Sequence, residues 1–93
     1  MIKAKGTYAT ANGSKYLQQL CKHFAHKIDV EFTETDGTCT FPFGTAVLNA
    51  TDAGLTVECD LEKAEQVEMF HNVIDKHLAK FAFRENFEAM TWS

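Results

Sequence analysis

Val30-Glu31-Phe32-Thr33-Glu34-Thr35-Asp36-Gly37-Thr38-Cys39-Thr40-Phe41-Pro42-Phe43 is the stretch on which the fold turns. Val30, Phe32 and Glu34 alternate with Glu31 and Thr33. After Asp36-Gly37, Cys39, Phe41 and Phe43 alternate with Thr38 and Thr40. Successive side chains of a strand point to opposite faces, so alternation on both sides of a turn dipeptide predicts an antiparallel hairpin. Asp-Gly suits the positive φ angles of a two-residue type I′ turn. Such a turn pairs Thr35 with Thr38, Glu34 with Cys39, Phe32 with Phe41 and Val30 with Phe43, which puts the large apolar residues on one face.

The same arithmetic predicts a second hairpin downstream. A turn at Asp52-Ala53 pairs Thr51 with Gly54, Ala50 with Leu55, Leu48 with Val57 and Ala46 with Cys59, and Phe43-Gly44-Thr45 links the two hairpins. The opposite face carries Thr45, Asn49, Thr51, Thr56 and Glu58, so one side of the sheet faces water. Residues 2–10 alternate more weakly and read as a first strand.

Between these strands, Leu17, Leu20, Cys21, Phe24 and Ile28 recur at three- and four-residue intervals, the signature of an amphipathic helix over Lys15–Ile28 opened by Asn12 or Ser14. Val67, Phe70, Ile74, Leu78 and Phe81 repeat the pattern in a second helix, from about Leu61 to Phe83 with Asp60 as its N-cap. Phe87, Met90 and Trp92 suit either a short C-terminal edge strand or a cover for the core. The reading is a single α+β domain over residues 1–93. It is a two-layer sandwich of order β-α-β-β-β-β-α, with both helices on one face of an antiparallel meander.

Composition bounds the function. The 93 residues are 45% hydrophobic and 12% aromatic, enough for one core and no second domain. A net charge of -4 argues against a dedicated binder of nucleic acid or anionic membranes, whose footprint is basic. The N-terminal residues lack the apolar core of a signal peptide, and no apolar run approaches the ~20 residues that span a bilayer, so the expected location is the cytoplasm. Cys21, Cys39 and Cys59 show no C-x-x-C spacing and fall on core-facing positions, as reduced, buried thiols do.

Three histidines stand out. His23 and His26 are neighbours on the first helix and His77 lies within the apolar stripe of the second, with His71 at its margin. Imidazoles ligate transition metals and transfer protons near neutral pH. Taken singly, His26 reads as a solvated residue, His23 as a flank residue and His77 as a core histidine bonded to backbone. Arg84, with Lys80 and His77, offers donors to a carboxylate or catecholate, although its position at a helix end is accounted for by the helix dipole. No H-E-x-x-H, G-x-S-x-G, P-loop or dinucleotide fingerprint occurs, and no cofactor or metal is specified by spacing.

Tyr16-Leu17-x-x-Leu20-Cys21-x-His23-Phe24-x-His26-Lys27, Phe41-Pro42-Phe43-Gly44, His77-Leu78-x-Lys80-Phe81-Ala82-Phe83-Arg84-Glu85 and the near-terminal Trp92 resemble a bacterial family of uncharacterised domains of about this length. The resemblance implies proteins encoded beside, or fused to, siderophore-interacting FAD-binding reductases. It places His23, His26, His77 and Arg84 inside the family's motifs, while Lys80 stands where relatives show Arg, which weakens bidentate anion binding there.

Two functional expectations result. One is a small binding or accessory protein of iron acquisition, recognising an anionic ligand, a metal chelate or a reductase partner through His23, His26, His77 and Arg84. The other is a structural module that homodimerises through its Thr-rich face or an open edge. An enzyme using His23 or His77 as a general base ranks third.

Overall fold

In the computed structural model, which describes residues 2–93, the alternating N-terminal stretch forms β1 (Ile2–Ala9) and the first apolar stripe forms α1 (Gly13–Phe24). Met1, where the expected domain begins, lies outside the described residues. The chain continues through β2 (Asp29–Phe32), β3 (Asp36–Phe41), β4 (Gly44–Thr51), β5 (Gly54–Leu61) and α2 (Ala64–Phe81). A short 3-10 turn (Phe83–Glu85) and β6 (Thr91–Trp92) follow. All strand pairs are antiparallel, in the order β2-β3-β4-β5-β1-β6. The expected two-layer α+β architecture is present, and the tail resolves as an edge strand.

Beginning and end of the α1 crossover are set by distance. β1 and β2 are separated by β5, β4 and β3, roughly four spacings of ~4.8 Å. The 12 residues of α1 span ~18 Å at ~1.5 Å each, so one helix covers the gap. Its Leu17, Leu20, Cys21 and Phe24 pack down onto Cys39, Ala46, Leu48 and Val57, while Phe70, Ile74 and Leu78 of α2 complete the core. Each fully buried Leu, Ile or Phe removes apolar area worth ~1.5–3 kcal/mol relative to exposure.

The β4–β5 register is the expected one, with Ala46, Leu48, Ala50 and Thr51 opposite Cys59, Val57, Leu55 and Gly54. The first hairpin differs. Val30 pairs with Cys39 and Phe32 with Gly37, so the loop is Thr33–Thr35 and not Asp36-Gly37. Thr33 organises that loop: its N–H donates to the Asp36 carbonyl at 2.7 Å, and its hydroxyl accepts from the Asp36 and Thr35 amides. The shift from the expected pairing is four residues. Because four is even, every side chain keeps its face.

Gly37 is therefore a packing residue. A Cβ there would lie 2.7 Å from the Cys21 Sγ, so its absence is what lets α1 settle onto β3. The tight turn falls instead at Pro42-Phe43, between the paired Phe41 and Gly44, and Phe43 folds back to stack on Phe41 at 5.0 Å. At the far edge Gly6 plays a similar part, since the Trp92 ring covers its Cα face.

Both helix starts also differ from expectation. β5 runs on to Leu61, with Asp60 paired to Lys3, so α2 begins at Ala64. The Gln66 side-chain carbonyl takes the capping role by accepting the Glu62 and Lys63 amides, both at 3.1 Å. Neither Asn12 nor Ser14 caps α1 with its side chain. Ser14 donates to the Glu34 carbonyl at 2.6 Å, tying the helix start to the β2–β3 loop. After Phe24 the chain leaves the helix, and the Ile28 amide still reaches the Phe24 carbonyl.

Two carboxylates tie the tail to the domain. Asp75 on α2 accepts the Met90 amide and the Trp92 indole N–H, both at 2.9 Å. Glu85 accepts four side-chain donors: the Tyr8 hydroxyl at 2.7 Å, the Thr10 hydroxyl at 2.8 Å, the Asn12 amide at 2.7 Å and the Tyr16 hydroxyl. The first turn of α1 contains no acidic residue, so Glu85 brings a negative charge to that helix start from the other end of the chain. These donors, led by Tyr16, hold the Glu85 carboxyl at about 2, while burial followed by the bond to Glu85 pushes Tyr8 up to about 12.

Gly37→Ala is expected to destabilise the fold by ~1–3 kcal/mol in urea denaturation, the usual cost of overfilling a packed contact. Cys21→Ala in the same chain should recover part of that loss, which a double-mutant cycle reads directly. Glu85 contributes stability that is fully present above its ordinary value of 4.5 and is lost as pH falls through about 2. Thermal melts of Glu85→Gln should start lower at neutral pH and lose the steepening that the native chain shows between those two pH values.

Candidate functional site

α1 and α2 run past each other in opposite directions, so Tyr16 meets Glu85 at one end and His23 meets His77 and Phe81 at the other. The imidazoles of His23 and His77 lie 4.6 Å apart, centre to centre, and are inclined by 46°. Phe24 packs edge-on against His77 at 5.2 Å and against Phe41 at 5.1 Å. Together with Lys27, Ile28 and Val73, these rings enclose a cavity of about 170 Å³ that opens beside the end of α1.

The backbone orients His77. Its Nδ1 lies 2.6 Å from the Val73 carbonyl, one turn earlier on α2. A carbonyl oxygen only accepts, so Nδ1 carries a proton and Nε2 is the ring's remaining position for a ligand. His23 is held below the ordinary histidine value, first by burial and then by His77, Lys80, Lys27 and His26. A neutral His23 at pH 7 keeps a lone pair available. Lys27 and Lys80 make this end of an otherwise acidic chain locally positive.

The structure thus brings His23 and His77 together. His26 is exposed in the turn after α1, close enough to act on His23 but outside the cavity wall. Arg84 stands in the 3-10 turn past α2, where its guanidinium lies 5.6 Å from the centre of the Phe83 ring, and it does not line the cavity. His71, on α2, stacks on Trp92 of the tail at 4.1 Å and stands apart from the cavity wall. Gln19, one turn before His23 on the same flank of α1, has a buried carbonyl oxygen with no hydrogen-bond partner among the described residues.

Helix spacing could find His23 and His77, whereas Lys27, Phe41 and Val73 join the wall only through tertiary packing. Two nitrogens are fewer than the three or four protein ligands of a self-sufficient metal site, and among the described residues no group of three or more His, Cys, Asp or Glu is placed to hold a metal. All three thiols are free and buried, and burial, followed by the neighbouring Asp60, pushes Cys59 up to about 11. Cys59, protonated and enclosed, is a poor nucleophile. Among the described residues no helix is long and apolar enough to cross a membrane.

Comparison with functionally curated proteins gives no match. Among solved structures, the chain is similar to the NMR structure of PA4090 from Pseudomonas aeruginosa, at 26% sequence identity and a TM-score of 0.80. That match covers 100% of this chain and 96% of the other. A family model matches residues 5–93, nearly the whole domain, and the chain therefore belongs to the family described as uncharacterized protein conserved in bacteria (DUF2218).

Proposed function

We propose that the protein is a cytoplasmic binding or accessory protein whose cavity between α1 and α2 takes a single-ring aromatic anion such as a catecholate. The observation that carries this reading is the size and lining of the cavity. At about 170 Å³ it compares with the ~150 Å³ that accommodates benzene in an apolar protein interior, and it is well below the ~300–1,000 Å³ of drug-sized sites. One ring fits, and anything larger extends out of the mouth.

Phe24 and Phe41 supply apolar walls for a ring, and His77 Nε2 and the His23 imidazole supply polar contacts on one side. Lys27 lines the cavity, and Lys80 nearby adds positive charge that favours an anion. The resemblance to proteins encoded beside siderophore-interacting reductases supports catecholates as the first ligands to try, free or as one arm of an iron chelate.

Histidine ring resonances followed by long-range 1H–15N correlation test this. Catechol, salicylate and benzoate are expected to shift His23 and His77 with a Kd on the order of 0.1–1 mM, about what a ligand of this size achieves. Lys27→Ala should weaken binding several-fold, and inorganic phosphate, zinc and ferric ion alone should bind less well than the aromatic anions. Absence of any shift at His23 or His77 with all of these would overturn the proposal.

A further inference from the structure

The sheet's other face carries a pattern that the helices do not use. Strand registers place Glu31, Thr38, Val47, Glu58 and Lys5 side by side in one row across β2, β3, β4, β5 and β1. Two residues along, Asp29 pairs with Thr40 and Thr40 with Thr45, while Asp60 pairs with Lys3. The same order is repeated: an acid on β2, threonine on β3, a small or branched residue on β4, an acid on β5 and lysine on β1. Val47, in the middle of the row, is 51% exposed.

We infer that this face docks onto a second copy of the chain, sheet against sheet, about a two-fold axis running along β4. Such an axis exchanges the two ends of the row. Glu31 and Asp29 then face Lys5 and Lys3 of the second copy, Thr38 faces Glu58, and Val47 meets Val47. Each pairing is opposite in charge, donor against acceptor, or apolar against apolar. An isologous interface requires that kind of self-complementarity.

Other arrangements of two copies do not share it. A two-fold axis across the strands would set β2 on β2 and β1 on β1, bringing acids against acids and lysines against lysines. Edge-to-edge pairing of β2 with β2 likewise gathers Asp29 and Glu31 from both copies along one seam, a known guard against sheet extension. β6 contributes only two residues at the opposite edge.

The size of the face makes the complex a weak one. Five strands at ~4.8 Å and three same-face rows at ~6.6 Å give a footprint on the order of 400–500 Å² per copy. The two copies together bury on the order of 800–1,000 Å², below the ~1,200–2,000 Å² of stable specific interfaces and within the range of transient ones. Most of the contact is threonine and charge, and Lys5 already has Glu58 at 3.6 Å within its own chain, so the attraction is shared among several carboxylates. The dimer is salt-sensitive, and it is independent of the helix-side cavity.

Sedimentation equilibrium at high protein concentration tests it, with intermolecular methyl contacts at Val47 as a second readout. Raising salt from ~0.1 to ~1 M, which shortens the Debye length from ~10 to ~3 Å, should weaken association about tenfold or more. Glu31→Lys and Lys5→Glu should each be monomeric alone, and an equimolar mixture should associate because opposite charges again face each other. Val47→Asp, at an exposed position, should abolish the dimer without affecting the melt. A strictly monomeric native chain, or association unchanged in both Glu31→Lys and Val47→Asp, would overturn the inference.

Discussion

One geometric constraint underlies the molecule: the side chains of every strand must present their apolar members to the same side of the sheet. Two helices can cover only one face, so a single strand in the wrong phase would bury threonines under α1 and expose leucines to water. The strand pairs satisfy the constraint for the core, with Val47 on β4 left on the open face. Ala4, Cys39, Ala46, Leu48, Leu55, Val57 and Cys59 lie beneath the helices, and the intervening Thr, Lys, Asp and Glu side chains face out.

That constraint explains why an error in the first hairpin left the architecture intact. Asp36-Gly37 is the dipeptide that most favours a type I′ turn, and it sits in β3 because Thr33 closes the loop with its own hydroxyl while Gly37 makes room for Cys21. Two demands on glycine, positive φ and close approach, look identical in one sequence. Asp52-Ala53 carried no such competing role, and its register was legible. The start of α2 differs for a related reason: Asp60 has the chemistry of an N-cap, but pairing with Lys3 extends the strand past it.

Legibility of the site divides along the same line. Periodicity puts His77 within the apolar stripe of its helix and His23 on the flank of the other, and the antiparallel packing of α1 on α2 joins them. Glu85 was visible only as part of a helix-closing motif. Its donors, at positions 8, 10, 12 and 16, come from β1, the loop after it and α1, 69 to 77 residues away, and no local spacing reports such a meeting. The carboxylate and the imidazole pair are nevertheless connected in effect. Glu85 anchors the beginning of α1 against the end of α2, which sets the distance between the same helices where His23 and His77 form the cavity wall.

This packing holds two oriented imidazoles, with His23 kept uncharged, against a small aromatic-walled cavity. Histidine tautomers and titration in the ligand-free protein test it most directly, by long-range 1H–15N correlation across the pH range. The expected result is a proton on Nδ1 of His77 and a His23 that titrates below the ordinary 6.5. A His77 with its proton on Nε2 alone, or a His23 that titrates at or above the ordinary value, would contradict it.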